Sequence, residues 1–247
     1  MNNFEFLTKN TWTTQKEYDD FVLFLKSLSK NESVEYLERH VKILNTKQNV
    51  YALSMANIRL IAKSIAKGNY LNFLNIAKDD SYEEVTIQGL VIAYLKDLKT
   101  QTELLNNWVC KIDNWSSCDT VVSTMKSLKA SSEKAKYFEH YKKMCFDKRE
   151  FVARFGIVCI MINFLEPAYI NEILNICANV HHDGYYVKMA VAWLISFAFI
   201  KFKDKTYVLL SKQCLDKFTQ NKAISKCRDS YQVSAQDKAN LIAYRIK

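Results

Sequence analysis

Residues 183–200 read Asp-Gly-Tyr-Tyr-Val-Lys-Met-Ala-Val-Ala-Trp-Leu-Ile-Ser-Phe-Ala-Phe-Ile. Asp183 is placed to cap a helix over 185–200, the most apolar segment of the chain. The stretch from Met189 to Ile200 is the longest run without a charge. It is too short to cross a bilayer, which takes about 20 residues. It therefore predicts a helix of a protein core.

The same helical period extends outward in both directions. Toward the N-terminus, Thr14 opens a segment with Tyr18, Phe21, Val22, Phe24 and Leu25 on its apolar side. From Glu32, Val34, Leu37, Val41 and Leu44 recur close to i, i+3, i+7, i+10. Met55, Ile58, Ile61, Ala62 and Ile65 mark a third helix, with Gly68 where a C-cap is wanted. Ser81-x-x-Glu84 reads as a capping box before a helix over 85–95. Asp113 or Asn114 caps a helix starting near Trp115, and Asp147 caps one over 149–165. Pro167 fits the first turn of the next helix.

Composition agrees with this reading. The 247 residues include only 4 Gly and 1 Pro, the residues with which sandwiches, barrels and doubly wound sheets turn corners. A hydrophobic fraction of 49% excludes general disorder. Roughly a dozen helices with no strand signal and no linker form one domain over 1–247. Such a series builds a globular bundle or an α-solenoid of helical pairs.

Several chemistries are excluded. The four glycines are isolated, so no glycine loop cradles a phosphate. There is no G-x-S-x-G elbow. The seven cysteines are scattered without a CxxC pair; most are flanked by apolar residues and read as small core hydrophobes, in a reducing compartment. His181-His182 is the one histidine cluster, and neighbouring side chains diverge too much to share a metal. No metal and no small-molecule cofactor is expected. The opening Met-Asn-Asn-Phe-Glu-Phe-Leu-Thr-Lys lacks a signal-peptide pattern, so the expected location is the cytoplasm.

The charge is uneven. The chain carries a formal +9, with 13 basic and 12 acidic residues in 1–100 but 13 and 7 in 151–247. This skew suggests a polyanion-binding surface in the last two-fifths of the chain.

Three segments carry chemistry. Ile112-Asp-Asn-Trp-Ser-Ser-Cys-Asp-Thr-Val-Val places Trp115 and Asp119 four apart, on one face of a helix. Arg149-Glu-Phe-Val-Ala-Arg-Phe-Gly-Ile-Val brings Arg154 into an apolar helix. The opening stretch carries Trp193 in its middle. These segments, in this order and with separations of 4, 35 and 39 residues, resemble the DNA alkylation repair enzymes, HEAT-like repeat alkylpurine DNA glycosylases. The similarity runs from about residue 45 to the end; the first 40 residues match only as helices.

The resemblance selects the all-α solenoid of HEAT-like pairs, a curved single domain whose concave face binds duplex DNA. It implies excision of cationic lesions such as 3-methyladenine and 7-methylguanine with the base left stacked. It implies Asp119 as the catalytic carboxylate, Trp115 and Trp193 as aromatic walls of the cleft, and Arg154 beside them, gripping a phosphate. Lys188, five residues before Trp193, reaches the flanking backbone, and Lys226 and Arg228 are further phosphate contacts. The matched set holds no lysine nucleophile, so the expected enzyme is monofunctional. The expected partner is double-stranded DNA with alkylated bases, with no membrane. One concave face per chain suggests a monomer, in a bacterial cytoplasm and associated with the nucleoid through its substrate. The alternatives are a catalytically silent scaffold that binds bent or damaged duplex and a protein–protein adaptor.

Overall fold

The computed structural model describes residues 4–29 and 33–247, apart from the side chains of Lys129 and Ala130. Glu32, the expected start of the second helix, and the first three residues lie outside them. The described residues form fourteen α-helices and three short 3-10 helices, with no strand and one isolated parallel bridge, Asn49 to Ser81. The all-α fold class is as expected. No helix among the described residues is long and apolar enough to cross a membrane.

By contact the chain divides into two compact units, Met1–Ser127 and Leu128–Lys247. The first holds α1 (Gln15–Leu28), α2 (Val34–Leu44), α3 (Met55–Ile65), α4 (Tyr70–Ile76), α5 (Tyr82–Ala93), α6 (Leu98–Trp108) and α7 (Trp115–Thr124). Every residue of α5 is buried. It packs on α3, α6 and α7, so alternate helices are neighbours, as in stacked helical pairs. The second unit holds α8 (Lys134–Met144), α9 (Glu150–Asn163), α10 (Ile170–Asn179), α11 (Tyr185–Lys201), α12 (Lys203–Ser211), α13 (Lys217–Asp229) and α14 (Ala235–Asn240). The same alternation holds here, with α11 packed between α9 and α13.

Local chemistry explains most helix starts. Thr14 and Glu17 form a full capping box on α1. Ser81 accepts from the Glu84 amide, so α5 begins at Tyr82, three residues earlier than its apolar run. The Glu84 carboxylate is not turned back on the cap backbone. It takes the hydroxyls of Ser81 (2.7 Å) and Tyr18 (2.7 Å). Beside it, Glu83 accepts the amides of Tyr51 (3.0 Å) and Leu53 (3.2 Å) around Ala52. Ala52 sits at φ 60°, a strained conformation for a residue with a Cβ. Burial pushes the Glu83 carboxyl up, against the pull of these amides.

Five local expectations change. Pro167 lies in the turn before α10, two residues ahead of the N-cap Tyr169, and not in its first turn. Asp147 does not cap α9; it binds Arg149 through the Arg149 amide and guanidinium, and Arg149 is the N-cap. Asp183 does not cap α11. Glu150, on the neighbouring α9, accepts the Tyr186 amide at 2.6 Å instead. Gly68 lies beyond the C-cap residue of α3 and has no positive φ. A Cβ there would sit 2.5 Å from the Thr8 carbonyl, so the glycine serves a close approach of two chain segments. The apolar stripe of α2 is largely uncovered: Val34, Leu37 and Val41 are exposed and only Leu44 is buried. Five of the seven cysteines are buried, as expected of small core hydrophobes, and Cys110 and Cys214 are exposed.

Glu17 also sets a pH dependence. Its carboxylate accepts the Thr11 hydroxyl (2.8 Å) and the amides of Thr11, Trp12, Thr13 and Thr14. This clamp holds Trp12 at φ 56° and buried against Phe21 and Phe73. The Thr11 hydroxyl first, then the Thr13 amide, hold the Glu17 carboxyl down at about 2, against an ordinary 4.5. A depressed carboxyl contributes stability that is full above about 4.5 and lost as pH falls toward about 2. Thermal unfolding of the wild type and Glu17→Gln across this window should show a steeper acid loss in the wild type. Parallel curves would mean that the clamp carries no stability.

Candidate functional site

The expected constellation falls into two halves, one in each unit. Trp115 and Asp119 lie on α7 in the first. Arg154 on α9, Lys188 and Trp193 on α11, and Lys226 and Arg228 on α13 lie in the second.

In the first half, Asn114 and not Asp113 caps α7, accepting the Ser117 amide at 2.9 Å. Asp113 instead takes the Thr46 hydroxyl (2.6 Å) and the Lys47 amide (2.7 Å), fastening the loop after α2 to the start of α7. The Trp115 indole N–H donates to the Ile43 carbonyl at 3.0 Å, so the ring is oriented from the end of α2. Ser117, Cys118, Val121 and Val122 face the core, and Trp115, Asp119 and Thr120 are half-buried on the other side. A carboxylate thus sits one turn from an indole on an accessible stripe. Two neighbours grip the same helix. Tyr82 shares a hydrogen bond with Ser116 (2.8 Å), and Arg59 donates to Thr124 (2.6 Å). Sequence reasoning missed both. Arg59, a cation placed between the apolar positions Ile58 and Ile61, was the available signal.

The second half is more compact than the spacing suggested. Arg154 is buried, 5% exposed. Its guanidinium donates to the Tyr186 carbonyl at 2.9 Å and lies 5.9 Å from the Tyr186 ring. Seven residues along α11 from Tyr186, on the same face, stands Trp193. The Lys226 ammonium lies 6.0 Å from its ring centroid. Trp193, Phe197, Lys201, Lys226 and Asp229 line an open cleft of about 460 Å³ between α11 and α13. Burial pulls the Lys226 amine below its ordinary value, and the positive charges of Lys222 and Arg154 add to this. Lys226 is thus a cation of the aromatic cleft that also feels the charges of Lys222 and Arg154. Lys222 was missed, although its i, i+4 spacing to Lys226 is visible in the sequence.

The other two predicted contacts stand apart. Lys188 lies 4.0 Å from Asp216, the residue that caps α13. Arg228 is exposed, about 200° around α13 from Lys226.

Among the described residues no group of three or more His, Cys, Asp or Glu is placed to hold a metal. His182 accepts the Gly184 amide on Nδ1 (2.8 Å), which leaves Nε2 to donate to the Lys148 carbonyl (3.0 Å). Both ring nitrogens are used in joining two loops.

Against known proteins, the family described as DNA alkylation repair enzyme matches residues 23–225. That span includes Trp115, Asp119, Arg154, Lys188 and Trp193 and stops just short of Lys226 and Arg228. No curated protein and no solved structure matches the chain.

Proposed function

The chain belongs to the DNA alkylation repair enzyme family, and from that premise we propose that it is a monofunctional glycosylase for cationic alkylpurines in duplex DNA. The observation that carries this reading is the Trp115–Asp119 pair: an accessible carboxylate one turn from an indole whose N–H is already committed.

A purine alkylated on N3 or N7 is already positive and leaves as a neutral base without an acid to protonate it. As the N-glycosidic bond breaks, positive charge passes to the deoxyribose. Asp119 supplies the opposite charge where that cation develops and orients a water toward C1′. The water oxygen bonds to C1′, its proton is released, and an abasic site remains. Trp115, one turn from Asp119, forms a wall against the sugar and the cationic lesion and keeps bulk water out. The base stays stacked, so the enzyme has no need of the pocket that base-flipping glycosylases build. Lys226 serves the phosphates, while the buried Arg154 guanidinium, donating to the Tyr186 carbonyl, braces the start of α11. No cofactor takes part, and the chain acts as a monomer.

The test is release of free 7-methylguanine from alkylated duplex. Release without strand cleavage supports the reading. Tight binding with no release would leave a silent scaffold for damaged duplex.

Lys226 has its own expected outcome. Neutralising one phosphate contact lowers the slope of log affinity against log salt by about 0.9. Lys226→Gln should show this loss in duplex binding by fluorescence anisotropy, equally for intact and alkylated DNA. An unchanged slope would remove Lys226 from the phosphate contacts.

A further inference from the structure

Four aromatic rings run across the second unit at the N-terminal ends of three stacked helices. Phe151 of α9 lies 5.2 Å from Tyr186, Tyr186 lies 5.2 Å from Tyr185, and Tyr185 of α11 lies 5.7 Å from Phe218 of α13. The last two rings face solvent, Tyr185 at 54% and Phe218 at 40% exposure. Exposed rings in register across two elements are unusual on a surface that has nothing to cover them.

Phe218 also lines a groove of about 520 Å³. The charged residues lining it are all cations: Lys217, Lys222 and Arg245. Arg245 is held in place. Its guanidinium donates to the Ser225 hydroxyl at 2.8 Å. The chain after it is pinned to α13 by a reciprocal pair, in which the Asn221 amide donates to the Ile246 carbonyl (2.9 Å) and accepts the Ile246 N–H (3.0 Å). The nearest carboxylate in sequence, Asp216, is committed to capping α13 and to Lys188.

We propose that Tyr185 and Phe218, with Lys217, Lys222 and Arg245, form a platform for an unpaired stretch of DNA strand. The choice of DNA rests on the repair reading above; the choice of an unpaired strand rests on the rings. In a duplex the base faces are covered by one another, and a protein surface meets phosphates, sugars and base edges but no open ring face. An unpaired strand offers both, base faces for the rings and phosphates for the cations at their sides.

The test uses the full chain and a fluorescein-labelled single-stranded oligo-dT of ten nucleotides, read by anisotropy. Binding is expected with a log–log salt slope of about −2, since three phosphates at about −0.7 each are neutralised. The double variant Tyr185→Ala, Phe218→Ala should bind the oligonucleotide roughly five- to a hundredfold more weakly per ring removed. It should release 7-methylguanine from alkylated duplex at the wild-type rate. Oligo-dT binding that depends on the lysines but not on the rings would overturn the proposal, since it would show a polyanion patch. Failure to bind oligo-dT while base release proceeds would overturn it and leave the glycosylase reading intact. Ring-dependent oligo-dT binding without base release would uphold the platform and remove the glycosylase.

Discussion

Asp119→Asn should cut the single-turnover release of 7-methylguanine from duplex by about 10²–10³, the effect of removing one preorganised electrostatic partner from a transition state. The substitution keeps the shape of the side chain and deletes its charge. Asp119 stands on the half-buried stripe of α7, where Ser117, Cys118, Val121 and Val122 already supply the packing. The α7 cap is Asn114, so the helix start does not depend on it. Folding and duplex affinity should therefore remain, and the loss should fall on the chemical step. The measurement is base release under enzyme excess, with duplex affinity and thermal unfolding followed in parallel. An unchanged rate would show that Asp119 does not stabilise the reacting sugar. A fall in affinity matching the fall in rate would make it a binding residue.

The second large effect concerns stability. Trp108→Ala should cost about 3–5 kcal/mol, the usual range for deleting a buried aromatic side chain. At roughly 2–4 °C per kcal/mol for a chain of this size, the melting temperature should drop by about 10 °C. Trp108 is 2% exposed and donates its indole N–H to the Val85 carbonyl at 2.8 Å. The ring lies where a Cβ on Gly89 would be, 2.3 Å from the indole and 2.7 Å from Val121. The glycine thus makes room for α6 and α7 to close on α5. Truncating the ring leaves a cavity that the buried α5 has little freedom to fill. Thermal unfolding by circular dichroism reads the effect, and a drop of only a degree or two would mean that the site collapses around the missing ring.

The fold was largely legible in the sequence because helix signals are local. A capping side chain and the amide it serves are two or three residues apart, as in Thr14 with Glu17, Ser81 with Glu84 and Asn114 with Ser117. Apolar periodicity works within a turn or two. Where the partner is distant, the local reading failed. Asp183 looked like the cap of α11, but the carboxylate that serves Tyr186 comes from Glu150, 36 residues away in the chain. Gly68 looked like a C-cap because its neighbour Thr8 is invisible to a local window. The apolar stripe of α2 was readable as a stripe, yet its exposure depends on which helices pack nearby.

The candidate site divides in the same way. Trp115, Asp119, Arg154 and Trp193 were singled out by the resemblance to the repair family; by residue type alone each reads as an ordinary core or surface residue. By itself the sequence determined an all-α chain, a basic C-terminal part and a resemblance to the repair family. Only the tertiary structure decided that Trp115 is oriented by Ile43, that Arg154 is buried against Tyr186 and bears on Lys226, and that four rings align across α9, α11 and α13. The reason is the range of the forces involved. Caps and periodicity act between residues that are neighbours in the chain, whereas buried charge, ring contacts and close helix packing act between residues that are neighbours only after folding.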